Sequence, residues 1–134
     1  MTDDTTPRWR QMTLTGVRIF LALAFVSAGF AKLVGVPMMV SVFDHVGFGQ
    51  WFRYLTGVVE ISGAILLLIP RLAGVGGLLM ATTMACAIAS HLLAVPGSPA
   101  PAALLLTLSA IVAWSYRART VALLGTTQRQ RVPA

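Results

Sequence analysis

Charge is the scarcest property of this sequence. Only 10% of its 134 residues are Asp, Glu, Lys or Arg, against 57% hydrophobic, and the mean hydropathy is +0.81. A soluble domain carries about 25% charge, so too little polar side chain is present to cover a globular surface. That excludes an ordinary water-soluble fold and leaves an integral membrane protein, one domain at this length. Cysteine is almost as rare. Cys86 stands alone, which excludes an intramolecular disulfide and any Cys-x-x-Cys pair, and with them dithiol–quinone chemistry carried in this chain. It reads as a small packing residue. No metal-ligand spacing, no nucleophile with its base and no phosphate loop occurs, so no metal site is expected. The net charge of +6 and the pI near 11.2 do not point to nucleic acid, because no basic stripe with interleaved aromatics exists. The arginines sit at the ends of apolar runs, where they orient a membrane protein. Nine arginines against one lysine, with abundant Ala, Val and Gly, have the look of a GC-rich bacterial genome.

What is present is apolar and segmented. Four runs, at about 14–34, 51–69, 72–95 and 99–117, each fall within the ~17–25 residues of a membrane crossing. The expected fold is all-α, a four-transmembrane-helix bundle over 14–117, with tails at 1–13 and 118–134. The first run resembles a cleavable leader, since "FVSAG" offers a small-residue site, and is read here as a retained crossing. Between the second and third runs lie only Pro70 and Arg71, so those helices form a tight antiparallel hairpin. The stretch "VPGSPAP" places three prolines before the fourth run and forbids a continuous helix there. Arg8, Arg10, Arg71, Arg117, Arg119, Arg129 and Arg131 fall on one side, while Lys32 and Arg53 lie near the other. The positive-inside tendency then puts both termini and the 70–71 turn in the cytoplasm of a plasma-membrane protein. In the outward connection, Met38, Met39, Val42, Phe43 and Val46 recur at helical spacing beside polar Ser41, Asp44 and His45. This predicts a short amphipathic helix over about 37–47, lying at the interface or dipping into the mouth of the bundle. Ala73, Gly77, Ala81, Ala85 and Ala89 follow one another at steps of four, which lets helix backbones approach closely in lipid. Packing within the bundle is the first reading of that stripe, and a homo-oligomer seam through Gly77, Ala81, Ala85 and Ala89 the second.

In the run "YLTGVVEISGAILLLIP", from 54 to 70, the only charge is Glu60. It lies about 16 Å above Arg71 at ~1.5 Å rise per residue, near mid-membrane. A charge there costs about 2.5–3.5 kcal/mol and almost always faces protein or water. Gly57 and Gly63 flank it on its own face and clear room for a neighbouring helix or a ligand. Helical side chains tilt toward their own N-terminus. Lys32 and His91, at the outer ends of the first and third runs, therefore tilt down into the membrane, while Glu60 and Arg53 tilt up. Straight helices separate Glu60 from Lys32 by about 13 Å in depth, a gap that both side chains close. Arg18, about 8 Å below Glu60, tilts away. The expected cluster is Lys32, Arg53, Glu60 and His91, roofed by Asp44 and His45. Glu60 is the candidate proton relay; Lys32, Arg53, His91, Gly29, Gly57, Asp44 and His45 are candidate ligand-binding positions. Plainer readings stand beside these. Glu60 with Lys32 makes a buried ion pair that sets helix register, Arg18 an interface anchor snorkelling to phosphate, and His91 a hydrogen-bonded residue at a helix end. Axial haem ligation by two histidines is disfavoured because His45 sits in the connector. Met80 and Met84 read as core filling rather than a copper site.

"RIFLALAFVSAGFAKLVG", "YLTGVVEISGAILLL" and a histidine closing the third run together resemble the DoxX family of small four-helix membrane proteins. The resemblance covers roughly residues 16 to 116, with motif elements on Arg18, Gly29, Lys32, Gly57, Glu60 and His91. The family's name derives from a membrane subunit of thiosulfate:quinone oxidoreductase. Relatives are linked to oxidative-stress and thiol-handling complexes, and distant animal relatives to membrane-protein assembly. The resemblance thus implies quinone-coupled redox work beside a partner oxidoreductase in the lipid, and the polar cluster puts the expected quinone or similar lipophile in the outer half of the bundle. Nothing in the chain stores electrons, so it would be at most an accessory subunit. The alternative is a non-catalytic assembly or scaffolding factor with a structural Glu60–Lys32 pair. A small transporter ranks third, since no helix is expected to break at mid-membrane.

Overall fold

In lipid no water is at hand for backbone N–H and C=O groups, so apolar segments must satisfy them internally as helices. The computed structural model describes residues 6–129 and contains, among them, six α-helices and no strand. They are α1 (Arg8–Val34), α2 (Pro37–Val46), α3 (Gln50–Leu68), α4 (Ala73–Leu93), α5 (Ala100–Ser115) and α6 (Arg117–Arg129). By length and composition α1, α3 and α4 can each cross a membrane. The pair α5 and α6 passes the same test only when taken together, and it bends by 58° at its break. The chain is thus a multi-pass membrane protein with three spans, or four if the bent pair counts as one.

Two boundaries differ from the sequence expectation. The helix expected from residue 14 begins at Arg8, just after Pro7, because hydropathy marks where a helix enters lipid and not where it starts. The segment expected to trail as a tail from 118 instead folds as α6. Its Arg, Ala and Leu residues favour helix, and it is pinned at its first turn. A Cβ on Gly74 would lie 3.1 Å from the carbonyl oxygen of Tyr116, and Arg119 donates to the Pro70 carbonyl at 3.3 Å. The amphipathic connector forms as α2, opened by Pro37 at its first turn.

The helices close into a ring in the order α1, α3, α4, α5, with α2 lying against α1 and α3 and α6 against α4 and α5. Two ends of the bundle follow: the α2 end, and the turn end at residues 69–72. Small residues set the spacing. A Cβ on Gly76 would come within 2.9 Å of the Leu67 amide nitrogen, and one on Gly77 within 2.8 Å of the Ala113 nitrogen. The lower part of the small-residue stripe therefore packs inside the chain: Ala73 and Gly77 are buried, whereas Ala85 and Ala89 are exposed. The contiguous apolar core (Leu21, Phe25, Ala64, Leu67, Met80, Met84 and Val112 among others) occupies the half toward the turn end. Large apolar side chains such as Leu23, Phe30, Leu55, Ile65 and Leu78 ring the outside, as lipid contact requires. Gly77→Val should cost about 1–3 kcal/mol through overpacking, read as a lower melting temperature in detergent. Gly16→Val, where nothing lies within 4 Å, should not lower it.

Candidate functional site

The α1–α3 pair is the tightest contact around Glu60. A Cβ on Gly29 would lie 2.8 Å from the Gly57 carbonyl oxygen, and one on Gly57 would lie 3.0 Å from that of Gly29. The two backbones touch. Gly29 and Gly57, expected as ligand-lining positions, instead make room for each other's helix, and that contact leaves no volume for a ligand between them. One turn above Gly29, Lys32 sends its side chain down along α3. Its Nζ donates to Glu60 Oε2 at 2.8 Å and Oε1 at 3.0 Å, so one ammonium spans both carboxylate oxygens. The Glu60 side chain is 4% exposed and that of Lys32 12%, so the pair has one slightly open edge, on the lysine. Removing one member of such a pair leaves a buried charge without compensation.

Arg53, buried one turn into α3, donates through Nη1 to the backbone carbonyl of Lys32. Its Nε donates to Gln50 Oε1 at 2.7 Å, and its guanidinium lies 4.4 Å from the Tyr54 ring centroid. Gly35 makes the approach available. It holds φ at 80°, a left-handed conformation, and a Cβ there would meet Arg53 Nη1 at 3.3 Å. Gln50 in turn donates to Asp44 Oδ1 at 2.7 Å and to the Val40 carbonyl at 3.2 Å. The roof over the pair is therefore Asp44, Gln50 and Arg53 in series. Gln50 escapes a sequence reading because a lone amide beside Trp51 and Phe52 looks like ordinary interfacial polarity. His45 lies outside this chain: its Nδ1 meets the Ser41 carbonyl of its own helix at 2.8 Å, since a side chain one position along from Asp44 points to a different face.

Arg18 corrects the expectation of a phosphate anchor. It is buried, and its Nε and Nη2 donate to the carbonyls of Leu67 and Leu68 at 2.7 and 3.0 Å. Its Nη1 reaches the Tyr116 hydroxyl at 3.4 Å. The last carbonyls of a helix lack intrahelical partners and attract cations, so the end of α3 draws the guanidinium inward. Arg53 does the same for the end of α1. Each of these antiparallel helices thus carries an arginine that caps the end of the other.

His91 stands apart from the ion pair. It follows Met80, Met84 and Ala87 on the inward face of α4. Its Nδ1 is buried and has no hydrogen-bond partner among the described residues. No group of three or more His, Cys, Asp or Glu able to hold a metal occurs among the described residues.

The region that carries Arg18, Lys32, Arg53, Glu60 and His91 matches the DoxX-like family over residues 16–123. The chain belongs to the DoxX-like family. It is also 32% identical over 80 residues to the uncharacterized protein YdgD of Bacillus subtilis (strain 168), covering 57% of this chain and 70% of that protein. No solved structure matches. The family match runs past the bend at Tyr116 and into α6, so the first turns of α6 belong to the family region of this DoxX-like protein rather than to an appended tail.

Two outcomes test this geometry by thermal unfolding in detergent. Lys32→Met alone should destabilise by about 3–5 kcal/mol, and more than Lys32→Met combined with Glu60→Leu, because only the single variant strands a charge. Arg18→Gln, which removes charge-assisted bonds to two helix-end carbonyls, should cost about 1.5–3 kcal/mol.

Proposed function

We propose that this DoxX-like protein is an accessory membrane subunit that binds a quinone or similar lipophile at the α2 end of the bundle for a partner oxidoreductase. On this reading the arginine-rich turn end faces the cytoplasm, the α2 end faces outward, and α5 makes the fourth crossing of the plasma membrane. The observation that carries it is His91, whose Nδ1 is buried on the inward face of α4 without a protein partner. A buried polar atom left unpaired costs about 1–3 kcal/mol, a cost that a ligand's hydrogen bond removes. The contiguous apolar core lies toward the turn end, and Lys32, Glu60 and Arg53 are gathered between α1 and α3.

A quinone would supply the electron chemistry. The chain's own groups bind and move protons. His91 offers one hydrogen bond, and Lys32, at its slightly open edge, offers a second. Glu60 is the group able to take up a proton when the Lys32 ammonium turns toward a ligand carbonyl. Arg53 keeps the end of α1 in place while that happens, because its bond is to the Lys32 backbone and not to the side chain. The assembly reading draws on the Gly29–Gly57 contact, which makes the α1–α3 pair rigid and gives Lys32–Glu60 a register role.

The readings separate in detergent. A soluble ubiquinone analogue should raise the melting temperature of the native chain and leave His91→Phe unmoved. Membranes carrying Lys32→Met combined with Glu60→Leu, which strands no charge, should lose partner-dependent quinone reduction while the bundle still assembles. Equal stabilisation of native and His91→Phe proteins would sink the ligand site. No stabilisation of either would favour the assembly factor.

A further inference from the structure

The turn end holds a second polar arrangement that the reading above does not use. Between the 69–72 turn and α6 lies a concave notch of about 210 Å³, lined by Arg71, Arg119, Ala122 and Leu123. Arg119 is held there: Nη1 donates to the Pro70 carbonyl at 3.3 Å, and its guanidinium lies 5.4 Å from the Tyr116 ring. One of its five N–H donors is used in that bond, leaving the others for a ligand. Arg71 is exposed, and no hydrogen bond or ion pair to it occurs among the described residues. The notch is not an accident of a loose helix. The bend at Tyr116 is gripped from inside by Arg18, and the Gly74 contact presses the first turn of α6 onto α4.

We propose that this notch holds the phosphate of an anionic phospholipid headgroup. Arg71 on the turn and Arg119 on α6 both line the notch and carry forked donors that match phosphate oxygens, and Ala122 and Leu123, one turn along α6 from Arg119, suit the glycerol and upper acyl carbons. Basic pockets at helix ends on a charged leaflet select such headgroups. Charge complementarity favours a lipid over a protein partner with mixed charge. The two carboxylates among the described residues, Asp44 and Glu60, lie on α2 and at mid-α3, so neither opposes an anion here. The depth is right as well. Exposed Trp114 carries the Arg117 guanidinium 4.2 Å from its ring, a pairing that suits headgroup level, while Val121 and Leu124 of α6 are exposed to reach the acyl boundary.

The test uses the full chain in nanodiscs, comparing phosphatidylglycerol with phosphatidylcholine, with retained lipid counted by native mass spectrometry. The native protein should retain phosphatidylglycerol selectively. Arg71→Gln, which breaks no described protein contact, should weaken retention about fivefold, the effect of one basic group at an anionic surface. Arg117→Gln, whose side chain stacks on Trp114 outside the notch, should leave it unchanged. Equal retention in native and Arg71→Gln proteins, or no preference for phosphatidylglycerol, overturns the site. So does displacement of the bound lipid by millimolar inorganic phosphate with the same affinity in lipid-free detergent, which would make this a free-anion site. Retention that falls equally in Arg71→Gln and Arg117→Gln overturns it too, since that is diffuse attraction to a basic surface.

Discussion

Lys32 and Glu60 cannot be parted inside a bilayer without leaving a charge there, and the rest of the α1–α3 geometry is consistent with that constraint. For the ammonium to sit within 3.0 Å of both carboxylate oxygens, the two helices must meet at backbone distance. Gly29 and Gly57 allow that by each lacking a Cβ where the other's carbonyl lies. Close approach in turn brings each helix end within reach of a long side chain on its neighbour. Arg18 and Arg53 then cap carbonyls that would otherwise be stranded in lipid. Pairing, glycine contact and the two caps are one arrangement. A shift of one residue in register would break the caps as well as the ion pair.

Part of this was legible in the sequence, and the division has a physical cause. Glu60 had to look inward because a mid-membrane acid has few other places to go, and the tilt of helical side chains chose Lys32 over Arg18 as its partner. Residue type and depth were enough for that. The caps were not legible, because the acceptors of Arg18 are the carbonyls of Leu67 and Leu68, and every residue carries a carbonyl. Arg18 near the start of an apolar run looks the same whether it turns out to phosphate or in to a helix end. Gln50 was hidden for a related reason, since its role depends on where α2 turns back. The α2 helix itself was legible from periodicity, but which of two adjacent polar residues would face the bundle was not. Asp44 reaches Gln50, and His45 turns to its own Ser41. α6 was missed because apolarity was read as the mark of structure, and this helix is held by Gly74 and Pro70 rather than by lipid.

The two ends of the bundle are built to different ends. Toward the 69–72 turn the interior is mostly apolar: Leu21, Phe25, Leu67, Met80 and Val112 are fully buried, the Ser109 hydroxyl is buried among them without a partner, and four arginines (Arg18, Arg71, Arg117, Arg119) serve the helix end or the membrane boundary around it. Toward α2 the interior groups are polar, and one of them, His91, lacks a protein partner. Interiors with unpaired polar atoms are costly, and stability alone gives no reason to keep them. What distinguishes the α2 end is the charged and amide groups gathered there: the Lys32–Glu60 pair and the Arg53–Gln50–Asp44 series.

The same reasoning bears on why an ion pair lies between α1 and α3 at all. Replacing a buried pair by packed apolar residues is often neutral or stabilising in proteins, so the pair is not the cheapest way to join two helices. The register is already set by Gly29 against Gly57 and by the two arginine caps. What Lys32 and Glu60 add to those contacts is an acid and a base at mid-membrane, in mutual contact, with the lysine 12% exposed and the acid sealed. On the proposed reading, the lysine is the member able to turn toward a ligand while the acid stays out of water.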